Sequence, residues 1–240
     1  MARLPESPSD AVVLAEQAAY YRARAAEYDE WWFRTGRYDR GAAFNASWNA
    51  EVAAVESTLA DWLDARRPVA AVELACGTGL FTRHLAPRCT RVLALDASPE
   101  VLAINRARAP AANVSYAQQD LFAWIPTERF DLVFMSFWLS HVPASRFDVF
   151  WRNVRAALAP GGMAYVIDSA FEPSSTAVDH ARPERDTGVV TRKLNDGREF
   201  RIVKIFHEPA ALNARLAGLG LRAAMARTPR FFIHGAVAAA

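Results

Sequence analysis

Val72-Glu73-Leu74-Ala75-Cys76-Gly77-Thr78-Gly79 closes an apolar run that starts at Val69 and breaks it with two glycines around a threonine. A new amphipathic segment begins at once, at Leu80. A strand that ends in a tight turn and feeds a helix is the first corner of a doubly wound sheet, where such folds bind their ligands. Glycine at this corner lets a ligand lie against bare backbone, where a Cβ would collide with it.

Downstream, short β-rich runs alternate with helical patterns, the signature of a parallel sheet. The runs are Val69–Leu74, Arg91–Leu95, Asn113–Ala117, Phe130–Ser136 and Met163–Asp168. Ser98-Pro99-Glu100 predicts a helix start, with a serine N-cap and proline at the first helical position. Ser145 is the expected cap of a further helix carrying Phe147, Phe150, Val154 and Leu158 at helical spacing, stopped by Pro160-Gly161-Gly162.

Upstream, Val52, Val55, Leu59 and Trp62 form an apolar helical stripe, with Glu51, Glu56, Asp61 and Asp64 off it. Residues 11–34 are alanine-rich and helical in pattern, ending in Tyr28, Trp31, Trp32 and Phe33. Beyond the core, Val189–Leu194 and Arg198–Phe206 flank Asn195-Asp196-Gly197, a hairpin turn signal. Pro209 opens a last helix, and strands near Leu221–Ala226 and Arg230–His234 complete the sheet. The expectation is one α/β domain over 1–240: a helical cap at 1–50, a core over 51–240, and a hairpin inserted near 188–207.

The formal net charge of +2 over 240 residues leaves no electrostatic footprint for nucleic acid or an anionic membrane. Only Lys193 and Lys204 are lysines among 28 basic residues, an arginine bias that reads as genomic rather than functional. Two cysteines, Cys76 and Cys89, cannot build a zinc quartet and lack CxxC spacing, so no metal is expected and both read as reduced, buried thiols. Met1–Asp10 lacks the apolar core of a signal peptide. No window approaches the roughly 18 apolar residues of a membrane span. A cytoplasmic protein is expected.

The identity of the nucleotide is decided beyond the loop. A dinucleotide fingerprint needs glycine or alanine three residues after Gly79, where Thr82 stands, and no P-loop lysine is present. Arg91–Leu95 ends in Asp96, whose two oxygens match the paired hydroxyls of a ribose. After the third strand run, Asp120 is an acceptor for an adenine amine, and Leu121 and Phe122 offer apolar surface to a base. Acids at the carboxyl ends of three successive strands (Glu73, Asp96, Asp120) are unlike chance placement.

In order and spacing, Glu73–Gly79, Leu95-Asp96-Ala97-Ser98, Gln119-Asp120-Leu121, Phe130-Asp131-Leu132-Val133 and Leu158-Ala159-Pro160-Gly161-Gly162 resemble the motifs of class I S-adenosylmethionine-dependent methyltransferases. The resemblance covers 69–170 and extends to Tyr20–Asp29, which looks like the cap of small-molecule members. The family's first glycine is Ala75 here. The resemblance implies a Rossmann-like, seven-stranded, mostly parallel sheet with helices on both faces. It implies S-adenosyl-L-methionine as cofactor and S-adenosyl-L-homocysteine as product. Glu73 and the backbone of Ala75, Gly77 and Gly79 would hold the methionine part. Asp96 would hold the ribose, Ala97 would lie beside the adenine, and Asp120 and Leu121 would meet its edge and face. The Ser136 carbonyl would face the cofactor's amino group. Tyr21, Arg24 and Tyr28 share one helical face, from which a phenol or guanidinium would close on the cofactor carboxylate.

Methyl transfer from a sulfonium mainly requires an aligned acceptor and excluded water, with a base where the acceptor carries a proton. Phe137-Trp138-Leu139-Ser140-His141 occupies the acceptor position of the resembled family, and His141 is the expected base because histidine titrates near neutrality. Trp31, Trp32, Phe137 and Trp138 are the expected apolar acceptor wall, with Arg34, Arg37 and Arg192 available for an anion. Asp168 reads as a solvated strand end, and His207 and His234 as structural. The sequence thus points to a small-molecule methyltransferase, O-directed rather than N-directed, in specialised metabolism. An N-methyltransferase of a small aromatic acceptor and a non-catalytic cofactor-binding module remain the alternatives. A nucleic-acid substrate is disfavoured, since Ser136-Phe137-Trp138-Leu139 stands where a base methylase carries Asn/Asp-Pro-Pro. The hairpin is open between a lid and a homodimer contact.

Overall fold

The computed structural model describes residues 10–185 and 188–240. The first nine residues of the expected cap lie outside that range. Seven strands form one sheet in the order β3-β2-β1-β4-β5-β9-β8. They are β1 (Ala70–Leu74), β2 (Arg91–Asp96), β3 (Val114–Gln118), β4 (Phe130–Ser136), β5 (Leu158–Ser169), β8 (Leu221–Arg227) and β9 (Phe232–Ala239). The first five run parallel, and β9 pairs antiparallel with both β5 and β8. All five residues of β1 are buried, as expected for a central parallel strand covered on both faces.

The order reverses between β1 and β4, so the carboxyl ends of the strands open a crevice beside the 75–79 loop. One face is covered by α6 (Phe147–Ala157) and α7 (Pro209–Ala217), with Trp151, Val154 and Leu216 fully buried. The other face carries α3 (Ala42–Arg66) and the aromatic cluster Trp32, Trp48, Phe81, Phe137 and Phe232. Three shorter helices complete the set around the crevice: α2 (Asp29–Phe33), α4 (Thr82–Leu85) and α5 (Pro99–Arg108).

Several local expectations change in the folded chain. Ser98 caps α5 as predicted, accepting from the Val101 N–H at 3.4 Å. Ser145 does not cap α6. Its hydroxyl donates to Asp10, and the helix starts beyond Arg146 with no side-chain cap. Helix α6 ends at Ala157, before the Pro-Gly-Gly stop, because Leu158 already pairs with Phe130 as the start of β5. In α3 the buried stripe is Trp48, Glu51, Val55, Leu59 and Leu63. Glu51 belongs to it because its carboxylate takes the Phe231 N–H at 2.9 Å and the Thr228 hydroxyl, so the turn between β8 and β9 satisfies the buried polar group.

The expected hairpin forms a separate two-stranded sheet, β6 (Val189–Lys193) with β7 (Glu199–Val203), turned at Gly197 with φ +91°. It packs on α1 (Asp10–Ala23) through Tyr20, Val190, Leu194 and Ile202. Polar contacts fix the same junction. The Gln17 side chain accepts from the Val203 N–H at 3.0 Å and donates to the His141 carbonyl at 3.3 Å, and Glu16 pairs with Arg201. No helix among the described residues is long and apolar enough to cross a membrane.

Candidate functional site

The loop after β1 holds two non-standard backbone positions before its second glycine: Ala75 at φ +53° and Gly77 at φ +52°. Asn105 of α5, fully buried, clamps this loop by donating to the carbonyls of Cys76 (3.3 Å) and Gly77 (3.2 Å) and to the Thr82 hydroxyl (2.8 Å). Thr82 donates in turn to Glu73 Oε2 at 2.6 Å, while Glu73 Oε1 is buried without a partner. Burial pushes the Glu73 carboxyl up to about 8, the Thr82 hydrogen bond opposing it. An orphaned carboxylate oxygen at the end of β1 fits a cationic ammonium.

Asp96 ends β2 with both oxygens occupied by backbone: Oδ2 accepts from the Gly77 N–H and Oδ1 from the Ser98 N–H, each at 3.0 Å. Burial raises its carboxyl, against those backbone hydrogen bonds. Each oxygen keeps a lone pair for a hydroxyl donor. Asp120 accepts from the Phe122 N–H at 2.9 Å, which turns the chain so that Leu121 is buried and faces the crevice.

Two cavities meet at this end of the sheet. A cleft of 620 Å³ is lined by Ala75, Asp96, Ala97, Asp120 and Leu121, and roofed by α1. A smaller inner cavity of 70 Å³ is lined by Arg24, Tyr28, Trp31, Phe137 and His141, with Arg192 and Lys204 from the hairpin. Tyr21 lines both.

The predicted residues divide between these spaces. Tyr21, Ala75, Asp96, Ala97, Asp120 and Leu121 line the cleft. Arg24 and Tyr28 do not. They face the inner cavity, where the Arg24 guanidinium stacks over the Tyr28 ring at 4.8 Å and donates to the Tyr38 hydroxyl at 3.1 Å. Trp138 turns the other way, into the cleft, where it packs on Phe122 at 5.1 Å. Trp32 lines neither space. It is 2% exposed among Trp48, Phe81 and Phe137, so it belongs to the core. Glu73, Gly77, Gly79 and Ser136 line neither cavity.

Two of the arginines suggested for an anion line neither cavity. Arg34 donates to the Ser175 carbonyl, and Arg37 pairs with Asp179 and Asn195. Asp168 is fully buried rather than solvated, accepting from the Ser140 and Ser169 N–H groups at 2.8 and 2.7 Å.

Lys204 is the residue that pattern reasoning passed over. Its Nζ lies 2.9 Å from Ser140 Oγ, 3.2 Å from Ser169 Oγ and 3.9 Å from Asp168. Burial drives its pKa down to about 8, with Asp168 opposing and Arg192 assisting. Its one sequence signal was being a lysine in a chain that uses arginine almost everywhere. With Arg24 and Arg192, it gives the inner cavity three cations and no carboxylate among its described lining residues.

His141 is buried, and its Nδ1 lies 2.6 Å from the Val203 carbonyl, which can only accept. The ring proton therefore sits on Nδ1, and Nε2 accepts from the Tyr21 hydroxyl at 2.7 Å. Burial and the nearby Lys204 hold the ring neutral, far below its ordinary range, despite the opposing Val203 hydrogen bond. The cap is also latched to the glycine loop: Arg108 pairs with Asp29, and the Thr78 hydroxyl donates to Asp29 at 2.6 Å.

Comparison with known proteins places this geometry. A methyltransferase domain family matches residues 71–162. Nodulation protein S of Rhizobium tropici is 34% identical over 103 residues, covering 41% of this chain and 42% of that protein. Trans-aconitate 2-methyltransferase of Mycobacterium ulcerans (strain Agy99) is 31% identical over 165 residues, 67% of this chain and 59% of that protein. The chain thus spans less than two thirds of the curated relatives it matches. Among solved structures, the complex of DhpI with SAM and HEP is 38% identical, with a TM-score of 0.75, over 96% of this chain and 99% of that chain. The DhpI complex with SAH superposes equally, at 36% identity and 98% of that chain. The seven-stranded sheet, the crevice and a relative aligned over nearly its whole length agree: this chain belongs to the class I S-adenosylmethionine-dependent methyltransferases of small molecules, with S-adenosylmethionine as cofactor and S-adenosylhomocysteine as product.

Proposed function

We propose that the chain is one methyltransferase domain, capped by its first 50 residues, that methylates an oxygen of a small anionic acceptor. A carboxylate, a phosphonate or a hydroxyl beside such a group fits best. The observation that carries this is the convergence of Arg24, Arg192 and Lys204 on one buried cavity that shares the Tyr21 wall with the cleft. Three buried cations without a carboxylate among the described lining residues stabilise an anion strongly, because little water is left to screen them. A relative whose named substrate is a polycarboxylate points the same way.

In this reading Glu73 and the 75–79 loop hold the methionine end, Asp96 the ribose, and Asp120 and Leu121 the adenine. When bound, the cofactor supplies an electrophilic methyl group on sulfur. The protein supplies alignment and a dry site. Arg192 and Lys204 hold the acceptor's charge, and Phe137 and Trp31 form the apolar wall. An anionic oxygen needs no base. For a hydroxyl acceptor, Tyr21 and His141 act together. Burial takes His141 out of the near-neutral range expected of a base, so the pair aligns the acceptor: the Tyr21 O–H donates to His141 Nε2 and leaves its oxygen lone pairs free to accept a hydrogen bond from the acceptor hydroxyl.

Incubation with methyl-labelled cofactor and a panel of phosphonates, carboxylates, phenols and amines, followed by mass spectrometry, tests the proposal. Label on an oxygen of an anionic acceptor supports it. Label confined to neutral amines removes it.

A further inference from the structure

At the opposite end of the sheet from the two cavities lies a groove of 710 Å³, formed where β5 begins and β9 ends. Five arginines line it: Arg66 at the end of α3, Arg129 just before β4, Arg152 and Arg155 one turn apart on α6, and Arg222 at the start of β8. All five are exposed, and among the described residues no aspartate or glutamate lines the groove.

Their existing partners are weak and neutral. Arg129 and Arg155 reach carbonyls at 3.4 and 3.3 Å, Arg152 reaches the Asp148 carbonyl at 3.3 Å, and Arg66 lies over the Trp62 ring. The acids nearby are already paired to other arginines: Glu128 to Arg91, Asp148 to Arg215, and Asp64 to Arg88. A chain of net charge +2 has thus gathered five uncompensated guanidinium groups around one concavity. Like charges facing one another across a recess repel, and a multivalent anion relieves that repulsion while taking bidentate hydrogen bonds.

We infer that this groove binds a compact oligophosphate. Its volume lies in the range of small-molecule sites rather than of an extended macromolecular surface. Its described lining residues include no aromatic ring, so they offer no stacking platform of the kind nucleobases use in single-stranded nucleic acid binding. What it offers is a set of forked donors, matched to phosphate oxygens. The inference does not depend on the acceptor proposed above, because the groove shares no lining residue with either cavity.

The test uses the full chain saturated with S-adenosylhomocysteine, titrated with inorganic tripolyphosphate and followed by calorimetry and thermal shift. Saturable binding is expected, at least about tenfold tighter than sulfate at matched ionic strength. The double variant Arg155→Ser/Arg222→Ser is expected to lose at least roughly tenfold in affinity, while keeping its melting temperature without ligand and its methyl transfer. Arg155→Lys, which keeps charge and loses the fork, should fall between. Equal weak affinity for sulfate and tripolyphosphate, or an unchanged affinity in the double variant, would overturn the inference. So would tighter binding of a single-stranded oligonucleotide at the same salt, which would make the surface a nucleic-acid contact.

Discussion

Gly79 and Asn105 stand so close that a Cβ on residue 79 would lie 2.6 Å from Asn105 Oδ1 and 2.8 Å from its Cγ. The glycine also holds φ +87°, a conformation that side chains avoid. Asn105 cannot step back, because its amide nitrogen holds the Cys76 and Gly77 carbonyls. Gly79→Ala should therefore lose about 2–3 kcal/mol of stability in denaturant unfolding. Asn105→Ala, which removes the collision and the clamp together, should leave a folded protein with weakened cofactor affinity by calorimetry. An alanine at 79 that costs nothing would show that the loop is not clamped.

Glu73 makes cofactor binding sensitive to pH. Its carboxyl is raised to about 8 by burial, so the cofactor-free protein carries it protonated at neutrality. The stability this contributes is fully present below the ordinary carboxylate value and is lost as pH rises through about 8. Pairing with an ammonium favours the ionised form, so binding near pH 7 should release about one proton. Calorimetry in buffers of different ionisation enthalpy measures that number directly. Glu73→Gln should abolish the release and weaken cofactor binding by roughly 10–100-fold.

Lys204 sets a second pH dependence, of opposite sense for stability. Its pKa is lowered to about 8 in the folded state, so the buried charge is relieved as pH rises from there toward the ordinary lysine value, and the protein gains stability over that window. An anionic acceptor should lose affinity across the same window. The expected profile of kcat/KM for the acceptor falls above about pH 8. Lys204→Arg should shift that fall beyond the accessible range, and Lys204→Met should remove it while raising KM.

The Tyr21–His141 pair separates the two acceptor types. Tyr21→Phe and His141→Ala should each lower kcat at least about tenfold on a hydroxyl acceptor. Both should leave methylation of a pre-ionised carboxylate or phosphonate within a few fold. Equal losses on both acceptor classes would reduce the pair to a structural role.

Asp29, Thr78 and Arg108 join the cap to the glycine loop, with the Arg108–Asp29 pair about three-quarters buried. Asp29→Asn should weaken cofactor binding by a few fold, roughly 1 kcal/mol. Amide exchange should quicken first in α2 and the 75–79 loop, and an unchanged exchange pattern would show that the latch carries no load.

The corner at 73–79 was legible because its glycines, its following helix and its flanking acids are local signals, and Asp96, Asp120 and the Ser98–Pro99 helix start were legible for the same reason. The cationic inner cavity was legible only at Arg192, which the sequence offered for an anion, and not at Lys204. Arg192 and Lys204 sit on a hairpin whose alternating pattern says only that one face is covered, and the face that covers it is α1, well over a hundred residues upstream. Glu51 was placed off its stripe because a carboxylate counts as polar until the Phe231 N–H and Thr228 hydroxyl that satisfy it are known. Trp32 and Trp138 both left the expected acceptor wall, one for the core and one for the cleft, because adjacency in sequence does not say which side of a chain turn a ring takes. At Phe137, held at φ +53°, successive rings are thrown to opposite sides, one into each cavity.

Helix α1 roofs the cleft and is riveted to the hairpin by Gln17, Glu16 and Tyr20, with Gln17 lining the cleft as well. A helix with the cleft on one side and the hairpin on the other behaves as a lever. On the proposed assignment of the two cavities, remodelling the hairpin to admit a new acceptor should tilt the roof of the cofactor cleft. Selection for altered acceptor range in this scaffold should therefore move cofactor affinity as well, and the two should drift together.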